Sequence, residues 1–369
     1  MNKYFVTIVF VFFLSTRYSS ASLPFKTLED QTKNIKIQVN QKLELFHIMA
    51  LFSGANYLNS FDFNYKSKVK SYFEPFRNHS FVQFVGKVLA NYHAHLSING
   101  LFVRSDFTKD TSFVNFLSVK DFGLEETFSN KVLVLDSLSK VVGLFAGISK
   151  FEEFASQQTQ YYNQKISEVK EAISNIDLKK HFEAFWGMQK DNYQIVICML
   201  EQDIHSYWYL NTNGSNSVFF LSPKFVVDND AKFGNANQSN LQEGKMSSVD
   251  YLYYGAGHEI GHSFINPIAI FYHDEIEKIN FKIQTGDAKD IFLCESILRS
   301  LTAYFLIENN RASDAQLVLQ MEKQQGYIYN ELILEAIKEY CSNRAKFKNF
   351  NDYMPMLLTK LKEKANTNH

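Results

Sequence analysis

The sequence predicts an α+β protein, mostly α-helical, with a small mixed sheet next to one functional helix. Three observations predict it. Apolar residues recur at three- and four-residue spacing along most of the chain. One β-branched apolar run, Tyr193 to Leu200, interrupts that texture. A later helical stretch carries His258 and His262 four residues apart, on one face of a helix. With 369 residues, 46% of them hydrophobic, the chain can fill a large core in one or two domains and is too apolar to be disordered.

The first residues read as a targeting signal. Lys3 is the only charge ahead of an apolar run from Tyr4 to Leu14, and Ser19, Ser20 and Ala21 supply the small residues of a cleavage site. The run is shorter than the roughly 20 residues a bilayer needs. A cleaved signal over residues 1–21 is therefore expected, and with it a secreted protein, extracellular or periplasmic in a Gram-negative host. No later segment offers a charge-free run long enough for a second span. The 38 basic and 39 acidic residues leave a formal charge of -1, which argues against nucleic acid as the main partner. Cys198, Cys294 and Cys341 are an odd number, so at least one thiol stays free or pairs with another chain. Asn78, Asn213 and Asn237 match the N-glycosylation pattern.

Residues 22–190 are read as a helical N-terminal part. Leu43, Phe46 and Leu51, then Phe81, Phe84 and Val88, show helical spacing, and Phe151 to Trp186 fits one or two amphipathic helices. Residues 191–369 are read as a small sheet followed by helices, in one functional unit with the preceding part. The sheet would use Tyr193 to Leu200, Ser206 to Leu210 and Ser217 to Leu221, the last as a possible edge for an extended peptide. Asp228 to Lys245 reads as a loop and Ser247 to Phe264 as a helix. Phe271 to Lys289 reads as a loop or short helices. Further helices are expected over Asp290 to Glu308, Ser313 to Gln324, Tyr329 to Cys341 and Phe350 to Lys362.

The chemistry centres on His258-Glu259-Ile260-Gly261-His262, an HExxH pattern. Two imidazoles at i and i+4 can bind one zinc, and Glu259, about 100° around the helix, flanks the metal as a general base. Such a pattern arises by chance on the order of 0.02 times in a chain like this. Gly255, Gly257 and Gly261 each cost a helix up to about 1 kcal/mol, which suggests that another backbone or a substrate approaches closely. A third ligand is needed. Ile265 and Ile268 stand where a metzincin would have Gly and His, leaving the carboxylates of Asp274, Glu275, Glu277 and Glu295. Glu295 is favoured, because a carboxylate flanked by Phe292, Leu293, Ile297 and Leu298 needs a partner. Arg299, one turn on, is expected to pair with it. Candidate oxyanion donors are Tyr272, His273, Tyr304 and Arg344.

The stretch from His258 to Pro267 resembles the HEFxHSFVNP motif of a family catalogued only as a domain of unknown function. Its members are mostly secreted bacterial proteins regarded as zinc metallopeptidases. Tyr72 to His79 is similar to its YFxPYKNH segment and Glu295 to Ser300 to its ExLVRA segment. Tyr340 to Arg344, with Phe350 to Pro355, is similar to its ending. The likeness spans roughly residues 35 to 363. It implies a gluzincin-type site of two His and a Glu, as in thermolysin, with Arg299 where thermolysin-like enzymes and neprilysins carry Asp. A weaker likeness to neprilysin-type peptidases is confined to HExxH. Together these readings lead to one Zn2+ per chain on His258, His262 and Glu295, and to a secreted metallopeptidase acting on a peptide or protein substrate. The rivals are a catalytically silent secreted zinc-binding or structural protein of the same fold, and zinc hydrolysis of a non-peptide substrate.

Overall fold

The computed structural model describes residues 25–32, 35–55, 58, 62–89, 94–103, 119–122, 124–174, 178–200, 206–208, 216–221 and 248–367. The signal segment 1–21, the loop 228–245, Asn213 and Asn237 lie outside them.

The sheet is larger than the sequence suggested, because two of its five strands come from the N-terminal part. β1 (Thr27–Thr32) and β2 (Ile35–Asn40) form an antiparallel pair where a helical texture was expected. Their residues explain it. Ile35, Ile37 and Val39 alternate with polar residues at the strand period of two. β1, Thr-Leu-Glu-Asp-Gln-Thr, is a charged edge strand that declares itself only through its pairing. β2 then pairs in parallel with β3 (Asn192–Ile197), with Ile35 opposite Tyr193. β3 pairs in parallel with β5 (Asn216–Leu221), and β4 (Ser206–Trp208) lies antiparallel on the outer side of β5. The order is β1-β2-β3-β5-β4. Ser217 to Leu221 is thus an interior strand, and among the described residues β4 lies outermost on that side. Ile195 to Ile197 and Val218 to Leu221 are buried continuously, the signature of strands covered on both faces.

Asn40 turns the chain from strand to helix without a loop. Its side-chain oxygen accepts from the backbone N–H groups of Lys42 and Leu43, both at 3.0 Å, and so caps α1 (Gln41–Phe52). Then follow α2 (Asn64–Phe73), α3 (Ser80–Val88), α4 (Ala94–Val103), α5 (Phe128–Ile148), α6 (Phe151–Ser174) and α7 (Leu178–Trp186). A polar cluster is buried among them: Tyr65 donates to Glu44 at 2.6 Å and also meets the Tyr162 hydroxyl at 2.8 Å.

The C-terminal helices fall where the periodicity put them, except that the first runs on past Phe264 to Phe271. They are α8 (Ser248–Phe271), α9 (His273–Glu277), α10 (Lys289–Glu308), α11 (Ala312–Gln324), α12 (Asn330–Ser342) and α13 (Phe350–Thr367). α8 packs on α10 on one side and on β4, β5, α6 and α7 elsewhere. Cys198 and Cys294 are buried, Cys341 is half-buried, and no disulfide joins any of the three. Among the described residues no single helix is long and apolar enough to cross a membrane.

Candidate metal centre

α8 runs through Pro267, two turns beyond the expected end, because a distant side chain repairs the break. Proline has no N–H for the carbonyl of Ser263, four residues back. The buried Lys190, just before β3, donates its ammonium to that carbonyl at 2.8 Å and lies over the Phe264 ring at 4.8 Å. Burial depresses the Lys190 amine to about 8.

The glycines of α8 admit its neighbours. A Cβ on Gly261 would stand 2.3 Å from Cδ2 of Leu298 in α10, and one on Gly257 would stand 3.2 Å from the Phe182 ring of α7. Side chains thus fill the room at Gly257 and Gly261: the nearest described atoms there belong to the Phe182, Leu298 and Trp186 side chains. The gap at Gly261 lets α10 approach at the level of the two histidines.

That approach brings His258, His262 and Glu295 together. Glu295 Oε1 lies 3.2 Å from His262 Nε2, and Oε2 lies 3.4 Å from His258 Nε2. All three donor atoms fall within 4.8 Å of one another. The three side chains keep 13–20% exposure, so the cluster is lined by protein yet open to solvent. His262 Nδ1 lies 3.0 Å from Asn266 Oδ1, one turn later. With Nδ1 protonated and donating to Asn266 Oδ1, Nε2 is the ring nitrogen on the Glu295 side that a metal ion would take.

Charge is shared beyond the three. Arg299 Nη2 lies 3.2 Å from Glu295 Oε2, as the i, i+4 spacing predicted, while its Nη1 donates to Glu322 of α11 at 2.6 Å. The guanidinium sits 4.3 Å from the centroid of Tyr327. Burial alone would raise the Glu295 carboxyl, but the His258 and His262 rings outweigh it and hold it well below the usual carboxylate range. Burial lowers His258. Burial also opposes the His262 imidazolium, yet Glu295, Glu259 and Asn266 together raise it. The two rings thus favour the ionised form of the Glu295 carboxyl that lies between them.

The other candidates are placed elsewhere. Glu259 is half-buried beside the pair, and its charge reaches His262. Tyr304 lies nine residues past Glu295, about 180° around α10, where it contacts Cys341 and Glu308. Arg344 donates to the carbonyls of Ala184, Phe185 and Lys348, closing the C-terminal end of α7. His273 is about half exposed, 3.9 Å from Asp290, and the Tyr272 hydroxyl donates to the Asn351 carbonyl. Asp274, Glu275 and Glu277 lie on the short α9 and stay out of the cluster. Asn266 and Glu322 were missed. Asn266 stands at i+4 from His262, a signal that was there; Glu322 carries none in sequence.

The family model described as "Domain of unknown function (DUF4932)" matches residues 35–360. The chain belongs to this family. The match takes in strands β2 to β5 and the His258–His262–Glu295 cluster, leaves out β1, and ends within α13. No curated protein and no solved structure matches the chain.

Proposed function

We propose that this DUF4932 protein is a secreted zinc-dependent peptidase of the gluzincin type, working outside the cytoplasm once its signal is removed. The observation that carries the reading is the His258–His262–Glu295 cluster with Glu259 beside it. The donor set suits zinc: one ligand atom from each of the three residues can be chosen so that all lie within 4.8 Å of one another, close enough to converge on one ion. Two nitrogens and one carboxylate are also the ligand types of an open, catalytic zinc site.

When bound, zinc supplies Lewis acidity, polarising a carbonyl and making water acidic enough to ionise near neutral pH. The protein's part is proton transfer and positioning. Glu259 takes a proton from the attacking water as its oxygen bonds to the scissile carbonyl carbon. It returns that proton to the amide nitrogen as the C–N bond breaks, leaving a carboxylate and an amine. Asn266 holds His262 in the tautomer described above. An extended peptide can be held by β4, the outermost described strand on its side, which packs against α8 and has its outer backbone groups beyond the ladder to β5.

Glu259→Gln keeps size and hydrogen bonding and loses the base. Zinc content and thermal stability should match wild type, while hydrolysis of casein or a peptide library should fall roughly 10²–10⁴-fold. Zinc-loaded wild type and variant that are equally inactive on every peptide and ester tried would favour the silent zinc-binding protein instead.

A further inference from the structure

Glu322 meets the metal cluster through a single intermediate, Arg299. It sits on α11, 23 positions after Arg299, and is only 15% exposed. Its contact with Arg299, at 2.6 Å, is shorter than the 3.2 Å contact of Arg299 with Glu295. Arg299 is also held from the side by Tyr327, itself stacked on Phe292 at 5.6 Å and 8°. Arg299 Nε is buried with no hydrogen-bond partner, so the guanidinium has donor capacity that its present orientation does not use.

Two physical effects follow. An arginine left alone with a carboxylate prefers to take both oxygens in a fork. Here both Glu295 oxygens are needed by the histidine side of the site, and Glu322 draws one arm of the fork away. Charge is the second effect. Glu295, Arg299 and Glu322 sum to one negative charge, whereas Glu295 and Arg299 alone would cancel and attract a dication less.

Resting on the zinc reading above, we propose that Glu322 is a positioning residue for the metal centre. By holding Arg299 it sets the Glu295 carboxylate and keeps its charge available to a divalent cation. Glu322 touches neither metal nor substrate, so its effect is on affinity and ligand geometry.

The test measures the Zn2+ dissociation constant of the full-length mature protein by chelator competition, and the visible spectrum of the Co2+-loaded form. Glu322→Gln should weaken Zn2+ roughly 10–100-fold, the usual cost of losing a partner behind a ligand, and should alter the Co2+ band, with apo melting unchanged. In an Arg299→Met background the same substitution should change affinity less than about twofold, because the intermediate is gone. Wild-type affinity in Glu322→Gln overturns the proposal, as does an equal loss in both backgrounds. Should Glu322→Gln fail to fold, Glu322→Asp decides, since its shorter arm cannot reach Arg299: a weaker Zn2+ site supports the proposal and an unchanged one overturns it. Wild type that binds no metal overturns the zinc reading and this proposal with it, whereas tight binding by wild type and variants alike overturns this proposal alone.

Discussion

Gly261→Ala adds one methyl group between the two histidines, and the structure says where it goes. The new Cβ would lie 2.3 Å from Leu298 Cδ2, 3.6 Å from its Cγ and 3.7 Å from Trp186 Cζ2. Carbon atoms pack at about 3.5–4.0 Å, so the first contact is short by more than 1 Å. Leu298 and Trp186 are both completely buried. Relief must come from an unfavourable Leu298 rotamer or from α10 moving away. Overpacking of this kind costs about 1–3 kcal/mol. Better helix propensity returns up to about 1 kcal/mol. A net loss of about 1–2 kcal/mol is expected, read as a lower midpoint in urea unfolding of the apo protein. Gly257→Ala is the control: its Cβ meets the Phe182 ring at 3.2 Å, which a few tenths of an ångström relieve, so it should stay within about 0.5 kcal/mol of wild type. Gly261→Ala combined with Leu298→Ala should cost less than the sum of the two, by roughly 1 kcal/mol, because the smaller residue vacates the clash. If Gly261→Ala is as stable as wild type and additive with Leu298→Ala, the account of this helix contact is wrong.

Burial raises the Glu44 carboxyl to about 7 against the hydrogen bonds from Tyr65 and Met199 that lower it. The folded state therefore keeps a proton that the unfolded chain, near 4.5, releases, so stability should fall as pH rises from about 4.5 to 7 and level off above. Glu44→Gln should gain up to about 3 kcal/mol over wild type at pH 8 relative to pH 4.5 in denaturant titrations, and an equal difference at both pH values would refute this. Lys190→Met leaves the Ser263 carbonyl buried without its donor and should cost about 1–3 kcal/mol, with partial recovery in Lys190→Arg; unchanged melting would show that the carbonyl finds another partner. Asn266→Ala should weaken zinc roughly 10-fold or more while Asn266→Asp retains most of it, as measured by chelator competition; equal affinities would remove Asn266 from the site. Glu295→Ala should lose stoichiometric zinc and Glu275→Ala should not, by elemental analysis; full zinc in Glu295→Ala would discard it as a ligand.

What the sequence disclosed depended on how local the cause was. His258, Glu259 and His262 are one helical turn, and periodicity alone set them on or beside one face. Glu295 was legible because its apolar neighbours, Phe292, Leu293, Ile297 and Leu298, are all fully buried, a costly place for an unpartnered carboxylate. Tyr304 could have been excluded by the same helical arithmetic that placed Glu259, since nine residues turn it away from Glu295. β2 showed its strand alternation for only six residues before Asn40 capped a helix, too short a run to outweigh the helical texture after it. Glu322 and Lys190 act through contacts with residues 23 and 73 positions away. No local pattern encodes them, because the packing of whole helices brings them into place.

The parallel seam between β2 and β3 also places a long-range closure at the centre of the sheet. Ile35 waits for Tyr193, and everything from α1 to α7 lies in the loop that must close between them. Closing a loop of that length precedes any reward from the pairing, the kind of long-range step that slows folding. Until then the inner edge of β2 remains an open template for another strand. The helices that carry His258, His262 and Glu295 follow this seam in the chain, with α8 laid on β4 and β5 and α10 laid on α8. On the zinc reading, an ion held only by the assembled α8 and α10 would stabilise the closed fold and so draw chains away from forms with exposed strand edges.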